Sequence, residues 1–490
     1  MIAAPDTSAV SANQKAFLVG VLVAVVSVLL FAFGFQETFY GDGPLQLQAY
    51  RTGRPTAHRL HFLLTELMAG LGLEPLQAAR AASCLPAALA LGAMAGMLQA
   101  THKQIGLTLA GVVVLAATPS VYFFATTIEV HGLQLLGSVV GFAAAWRAAH
   151  PRPGAGLASL AWGSVISIAA LITTHPTNVL AGLGLVVLVW RGLRARGISR
   201  QAAQRIFLGI GMAAVLVALV VSKTYLDPQS ARTPMNVVLP LLWEPSRTAA
   251  SGLPQPLHNV LEAVIKPSGV LLILGCAGFA VARARASAPG AYALSTSSHW
   301  ALWLWTLGPA VALAGPDFHE NGAYFMVALP ALAFGLALGA RALGPSVPAL
   351  LLVAVANASL TAGRMAEAKA PAPQDQQAFL AGLAEVTAGR GLYLARTQAE
   401  ADLVERHLGI PTENLRYFVV LPPEERAFFL AKIGAWGRAL VERGEPVFLH
   451  EDALIEAERR PALAEALSEL SRDAEQVPVA ATGFRGVRIE

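Results

Sequence analysis

Four windows of this chain hold no Asp, Glu, Lys or Arg: Ala16–Phe35, Ile105–Ile128, Ile206–Ser222 and Gly322–Ala340. Each is close to the roughly 20 residues a helix needs to cross the hydrocarbon core of a bilayer. The whole chain of 490 residues is 55% hydrophobic and 13% charged, whereas a soluble domain has about 25% charged residues. Lipid must therefore solvate much of it, and the sequence predicts a polytopic α-helical membrane protein. The net charge of +4 marks no nucleic-acid partner. The basic residues follow the positive-inside rule instead of forming a binding stripe. Ala16–Phe35 is too long for a signal-peptide core and has only Lys15 as a basic residue before it, so it reads as a retained first helix. Cys84 and Cys276 both sit in apolar runs and read as buried free thiols.

Further spans are expected at 76–98, 105–124, 130–148, 157–173, 177–191, 206–222, 268–282, 299–315, 322–340 and 346–361, about eleven helices in all. The mixed stretch Leu45–Leu73 predicts interfacial helices with Leu60, Leu63, Leu64 and Leu67 on the apolar side. A cytoplasmic N-terminus puts the Arg191–Arg205 loop, Arg147, Arg152, Arg283, Arg285 and Arg341 on the inner side. The 36–75 loop, the 223–267 loop and the C-terminal tail then face outward. From Gly363 charge rises and strand–helix alternation begins. Strands are expected at Gly391–Ala395, Tyr417–Leu421 and Pro446–His450, with a last one in Val477–Ile489. Helices fit Gln398–Leu408, Glu424–Arg443 and Glu451–Leu470. The expected division is a transmembrane domain at 1–362 and a small, outward-facing α/β domain with a mainly parallel sheet at 363–490. The alternation contains no GxGxxG and no phosphate loop, and the chain shows no internal repeat.

Ionisable residues return to one level in this topology. Glu37 and Asp42 follow the first helix, Glu129 and His131 lie at one helix end, His175 lies in a turn, and Asp317, His319 and Glu320 lie in another. Charge at membrane depth is costly and by default faces a cavity or a protein interior. Each group also has a plainer reading. Glu37 suits an interface, Asp42 in Tyr40-Gly41-Asp42-Gly43-Pro44 suits a turn, and His175 before Pro176 suits a helix cap. His319-Glu320-Asn321 suits a short loop, and Arg51, Arg54 and Arg59 suit lipid anchoring. Glu129 has few neutral explanations, because a long uncharged run precedes it.

Three motifs, Gly41-Asp42-Gly43, Ala125-Thr126-Thr127-Ile128-Glu129-Val130-His131-Gly132-Leu133 and Thr174-His175-Pro176-Thr177, resemble those of the protein O-mannosyltransferase-like multispanning family of GT-C glycosyltransferases. The likeness covers about residues 17–190 and extends loosely to Glu320–Pro330, where Asn321-Gly322-Ala323-Tyr324-Phe325-Met326-Val327-Ala328-Leu329-Pro330 is similar to a late-helix RY-x-x-P region. The chain departs from the pattern at Pro44-Leu45, where a Gly-Glu is common, and at Arg54-Pro55-Thr56-Ala57-His58, where His-Pro-Pro-Gly-Tyr is common.

The resemblance implies inverting transfer of a sugar from a polyprenyl-phosphate donor to a protein, glycan or lipid acceptor on the outer face. It implies that Asp42 is the base on the acceptor hydroxyl and that Glu129 and His175 match an acidic residue and a histidine of the family; Glu37 and Glu129 are the further candidate catalytic carboxylates. Donor phosphate and substrate contacts then fall to Arg51, Arg54, His58, Arg59, His131, His175, His319 and Glu320. Lys223, Arg232 and Arg247 are additional cations for the phosphate. Asp42, Glu129 and a histidine also form a donor set suited to Mg²⁺ or Mn²⁺. The alternative is a transporter or lipid-linked-substrate flippase that uses Glu129 and His175 as a proton relay. That reading prefers ionisable groups at helix centres and repeated broken helices. A scaffold whose α/β tail does the work leaves the carboxylates unexplained.

Overall fold

The computed structural model describes residues 7–35, 59–151, 154–209, 211–212, 255–286, 294–314, 320–344, 347–369, 374–395, 398–414, 442–451, 475–481 and 483–489, together with residues 439, 453, 464 and 468. The chain falls into two compact units, Met1–Phe35 with Ala49–Ala366, and Gln36–Gln48 with Glu367–Glu490.

The first unit is a helical bundle. Helix α1 (Thr7–Phe33) turns Phe17, Leu18, Leu22, Val25, Val26 and Leu29 outward and buries Ala16, Val23 and Phe31. Outward apolar side chains are what lipid contact selects. After α2 (Arg59–Gly70) come α3 (Pro75–His102), α4 (Ile105–Ala116), α5 (Pro119–Ala125), α6 (His131–Ala149), α7 (Leu157–Thr174) and α8 (Gly182–Ala195). Then follow α9 (Pro256–Ser268), α10 (Val270–Ala284), α11 (Thr296–Ala312), α12 (Leu329–Leu343) and α13 (Val347–Lys369). In α2, His61, Phe62 and Thr65 are buried while Leu63 and Leu67 are exposed, which is an amphipathic helix. Among the described residues, five helices are long and apolar enough to cross a membrane, and up to seven if two bent pairs each count as one span. The protein is a multi-pass integral membrane protein. The expected span at 206–222 lies largely outside the described residues. The segment Gly322–Leu343 is buried over 94% of its most apolar stretch, against 22% for the first helix, so it forms the middle of the bundle.

Several expected spans are not continuous α-helices, and three of them show why. The run 105–124 bends by 72° between α4 and α5. Pro119 opens α5, and the residue before a proline is pushed into extended backbone, as Thr118 is at φ −67° and ψ 131°. The run around 268–282 is the second half of a pair bent by 85° at Gly269. Gly269 has φ +56° and ψ −140°, a conformation that glycine adopts without strain. The run 322–340 begins as a 3₁₀ segment, Glu320–Ala328, and becomes α-helical only at α12, where Pro330 occupies the first turn.

One side chain bridges both sharp bends. Asn357 of α13 is fully buried. Its Oδ1 accepts the Val270 backbone N–H at 3.0 Å, just after Gly269. Its Nδ2 donates to Thr118 Oγ1 at 3.5 Å, just before Pro119. Thr361, one turn further along, donates to Ala117 O at 3.1 Å. Helix breaks in lipid need such replacement partners, because no water is at hand for the freed backbone groups. Asn357→Leu is expected to leave the Val270 N–H unpaired and to cost about 1–3 kcal/mol. Thermal unfolding of the detergent-solubilised variant checks this. An unchanged midpoint would show that the bridge adds nothing to stability.

Among the described residues the second unit contains helices α14 (Gln374–Thr387) and α15 (Gln398–Leu408) and a five-stranded sheet. Strands β1 (Leu392–Ala395), β2 (Thr412–Asn414), β3 (Val447–His450), β4 (Gln476–Ala481) and β5 (Phe484–Ile489) are ordered β2-β1-β3-β5-β4. β1 pairs in parallel with β2 and β3, while β3–β5 and β5–β4 are antiparallel. The expectation of a mainly parallel sheet is corrected to a mixed one. Val477–Ile489 is likewise a hairpin and not a single strand, because Gly483 at φ +82° turns the chain back. Exposure alternates along β4, as on a strand with one covered face. The core holds Leu383, Tyr393, Val404, Ile410, Phe448 and Phe484, and the Tyr393 hydroxyl donates to Glu400. The expected strand Tyr417–Leu421 lies outside the described residues, as do nearly all of Glu424–Arg443 and Glu451–Leu470. Both cysteines are free, Cys84 buried and Cys276 half-buried.

Candidate active site

Glu129 sits in the short non-helical link between α5 and α6. Two threonines end α5 there, with Thr126 Oγ1 donating to Tyr122 O at 2.8 Å and Thr127 Oγ1 to Phe123 O at 3.1 Å. The link is tied to α3 through Ser83, whose Oγ accepts the Glu129 N–H at 2.9 Å. The same Oγ lies 3.1 Å from His61 Nε2, so α2 joins the site as well. Glu129 is only 3% exposed. Its Oε2 accepts the Val130 N–H at 3.2 Å and lies 3.9 Å from His131 Nε2. A carboxylate buried at that depth, with an imidazole beside it, marks a functional site more often than a structural one.

The close approach of α6 to α3 depends on Gly132. A Cβ at this position would run into the Ser83 carbonyl oxygen, which is backbone and cannot swing away. Gly132→Ala is expected to push the helices apart and to cost about 1–3 kcal/mol. Gly182→Ala is the control, because a Cβ there meets nothing within 4 Å. Equal unfolding midpoints for the two variants would refute the close-packing account.

A chain of hydrogen bonds runs from His131 to His175. His131 Nδ1 lies 2.7 Å from Gln134 Oε1, and Gln134 Nε2 donates to Thr177 Oγ1 at 3.0 Å. Thr177 Oγ1 lies 2.7 Å from His175 Nδ1, and the Thr177 N–H donates to that nitrogen at 3.3 Å. His175 takes this position because it ends α7 in extended backbone, at φ −163° and ψ 135°, ahead of Pro176. It then caps the 3₁₀ turn Pro176–Ala181. Beneath the chain, Ser138 Oγ donates to Asn178 Oδ1 at 3.2 Å and Asn178 Nδ2 to Thr174 Oγ1 at 3.1 Å, fixing α6 to α7.

The rings pack against one another. The His131 and His175 centroids are 5.3 Å apart, and Tyr324 lies 6.1 Å from the first and 5.7 Å from the second. Phe124 meets His131 edge to face at 4.5 Å. Six stretches of chain therefore meet here. They are α2, α3, the end of α5, the start of α6, the turn after α7, and the 3₁₀ segment before α12.

Of the residues expected at the site, the structure brings together Glu129, His131 and His175. Arg59 is the exposed first residue of α2, whose His61 reaches Ser83. Glu320 begins the 3₁₀ segment that carries Tyr324. Glu37, Asp42, Arg51, Arg54, His58 and His319 lie outside the described residues, as do Asp317, Lys223, Arg232 and Arg247. The chain leaves α1 close by, since the Arg80 guanidinium of α3 stands over the Phe35 ring at 4.8 Å, one turn from Ser83.

Sequence reasoning missed His61, Arg80, Ser83, Gln134 and Phe124 as site residues. Gln134 left a signal, because it is a polar residue one helical turn after His131 in an apolar run. Ser83 left none, because a lone serine in a membrane helix is usually bonded to its own preceding turn. Among the described residues no three His, Cys, Asp or Glu side chains form a metal-binding group. Glu129 and His131 supply two members of the donor set inferred from the sequence, and Asp42 lies outside the description.

The fold, a bundle of apolar helices followed by a small α/β unit, is one that solved structures share. Two solved structures that share it are those of ArnT from Cupriavidus metallidurans. The apo structure matches with a TM-score of 0.54 at 15% identity, over 96% of this chain and 97% of that one. The structure bound to undecaprenyl phosphate matches with a TM-score of 0.51, also at 15% identity and over the same shares. No protein-family model matches the chain, and no curated protein matches it significantly.

Proposed function

We propose that this protein is a membrane glycosyltransferase that moves a sugar from a polyprenyl-phosphate donor to an acceptor on the outer face, with inversion at the anomeric carbon. The observation that carries this reading is the buried Glu129–His131–Gln134–Thr177–His175 network at one end of a GT-C bundle. Undecaprenyl phosphate bound to ArnT, which has the same fold, supports a lipid phosphate as the leaving group. The acceptor class is a protein hydroxyl, a glycan or another lipid.

The chemistry needs little acid catalysis, because a lipid phosphate is already a competent leaving group. It needs a base on the incoming hydroxyl, and we assign that to Asp42, with Glu37 nearby in sequence. Glu129 is a buried negative charge that favours the positive charge building on the anomeric carbon as the phosphate departs. Arg51, Arg54 and Arg59 are the donor-phosphate cations, with His58, His319 and Glu320 completing the substrate contacts. We add Arg80 to the cations, because it stands one turn from Ser83. A divalent cation held by Asp42, Glu129 and His131 would add Lewis-acid help to the leaving phosphate.

The deciding experiment gives the purified protein in nanodiscs a panel of radiolabelled polyprenyl-phosphate sugars, with membrane extract as the acceptor source. Label passing from one lipid donor to an acceptor is the expected result. Label moving across the bilayer while still attached to its lipid would replace the enzyme with a flippase.

A further inference from the structure

The two histidines of the site are not equivalent, and one backbone amide makes them differ. A peptide N–H can only donate, so the Thr177 N–H makes His175 Nδ1 an acceptor. The proton of neutral His175 is then on Nε2. Thr177 Oγ1 receives an N–H from Gln134 Nε2, which leaves its own O–H to donate to His175 Nδ1. With its amide nitrogen turned to Thr177, Gln134 points its carbonyl Oε1 at His131 Nδ1, and that nitrogen must be the donor. His131 is therefore an Nδ1–H ring. Its Nε2 is turned to Glu129 Oε2.

We propose that Gln134 and Thr177 are positioning residues that hold His131 and His175 in opposite tautomers. His175 then offers a fixed Nε2–H to an anionic phosphate oxygen of the substrate, and His131 is held with its Nε2 towards Glu129. This rests on the glycosyl-transfer reading for the identity of the phosphate, but the tautomers themselves do not. The second ring nitrogen of a site histidine is commonly set by the hydrogen bond its first one makes. Here a single bridge sets both rings, in opposite senses. The arrangement gives the site an N–H donor that cannot turn into an acceptor, because Nδ1 of His175 already faces two donors. Among the described residues, the titratable groups about the pair include Glu129 from the link before α6, His61 from α2 and Tyr324 from the 3₁₀ segment.

The test is ¹⁵N spectroscopy of the full-length protein with labelled histidine, in nanodiscs at pH 8. His131→Gln and His175→Gln assign the two resonance pairs. His131 is expected as Nδ1–H and His175 as Nε2–H. In Gln134→Leu, His131 should change to Nε2–H while His175 stays as it is, held by the Thr177 amide. In Thr177→Ser both rings should keep the wild-type tautomers. Two rings with the same tautomer in wild type, or an unaltered His131 in Gln134→Leu, would overturn the positioning role. Undecaprenyl phosphate and inorganic phosphate are then added separately. A shift at His175 Nε2 with the lipid alone identifies a lipid phosphate, and a shift with both identifies the phosphate group as sufficient. No shift with either overturns the donor role of His175. Because none of these readouts needs turnover, they stand or fall apart from the transfer assay.

Discussion

Glu129→Gln is expected to slow sugar transfer by ~10²–10³-fold while leaving the fold in place. Gln is nearly isosteric and keeps an oxygen to accept the Val130 N–H, which Glu129 Oε2 now accepts at 3.2 Å. The Glu129 N–H to Ser83 bond is a backbone bond and survives the change. What disappears is one negative charge at a position only 3% exposed, where a charge acts through far less screening than in water. The measurement is a single-turnover transfer rate beside an unfolding midpoint. A rate within about threefold of wild type, less than 1 kcal/mol in barrier height, would remove Glu129 from the chemistry.

Asp42→Asn is expected to lower the transfer rate by ~10²–10⁴-fold, the usual contribution of a positioned base. Asn can still hydrogen-bond the acceptor hydroxyl but cannot take its proton. The loss should therefore fall on kcat, with KM for the acceptor nearly unchanged, which is the pattern of an interaction made only in the transition state. A rise in KM with unchanged kcat would make Asp42 a binding residue instead. Run side by side, the two variants separate base catalysis from electrostatic stabilisation. Adding an acceptor of greater acidity should rescue part of the rate in Asp42→Asn and little of it in Glu129→Gln, because only the first has lost its proton acceptor.

Much of this molecule was legible from short windows. Three of the uncharged runs identified apolar helices of the bundle, because lipid forbids charge locally and needs no knowledge of neighbours. The same logic singled out Glu129, and through the helix ends it placed His131 and His175 at one level. The strands at Leu392–Ala395 and Val447–His450 followed from their apolar content and flanking turns. The failures also have physical causes. Thr118-Pro119 and Gly269 were visible in the sequence, but a proline or glycine in a membrane run ends one helix and only kinks another. The outcome depends on what replaces the lost backbone bond. Val477–Ile489 looked like one strand, because Gly483 reverses the chain only when a partner strand stands beside it.

The sequence by itself determined the apolar helices and the bundle they form, because both follow from the free energy of moving a side chain between water and lipid. The partners were decided by tertiary structure alone. Gln134 and Thr177 are 43 residues apart, and Asn357 and Thr118 are 239 apart. Each pair joins polar groups that would be costly to bury singly and are stable together. Which polar groups find each other depends on the packing of whole helices, and that packing turned scattered polar residues into a network with a direction.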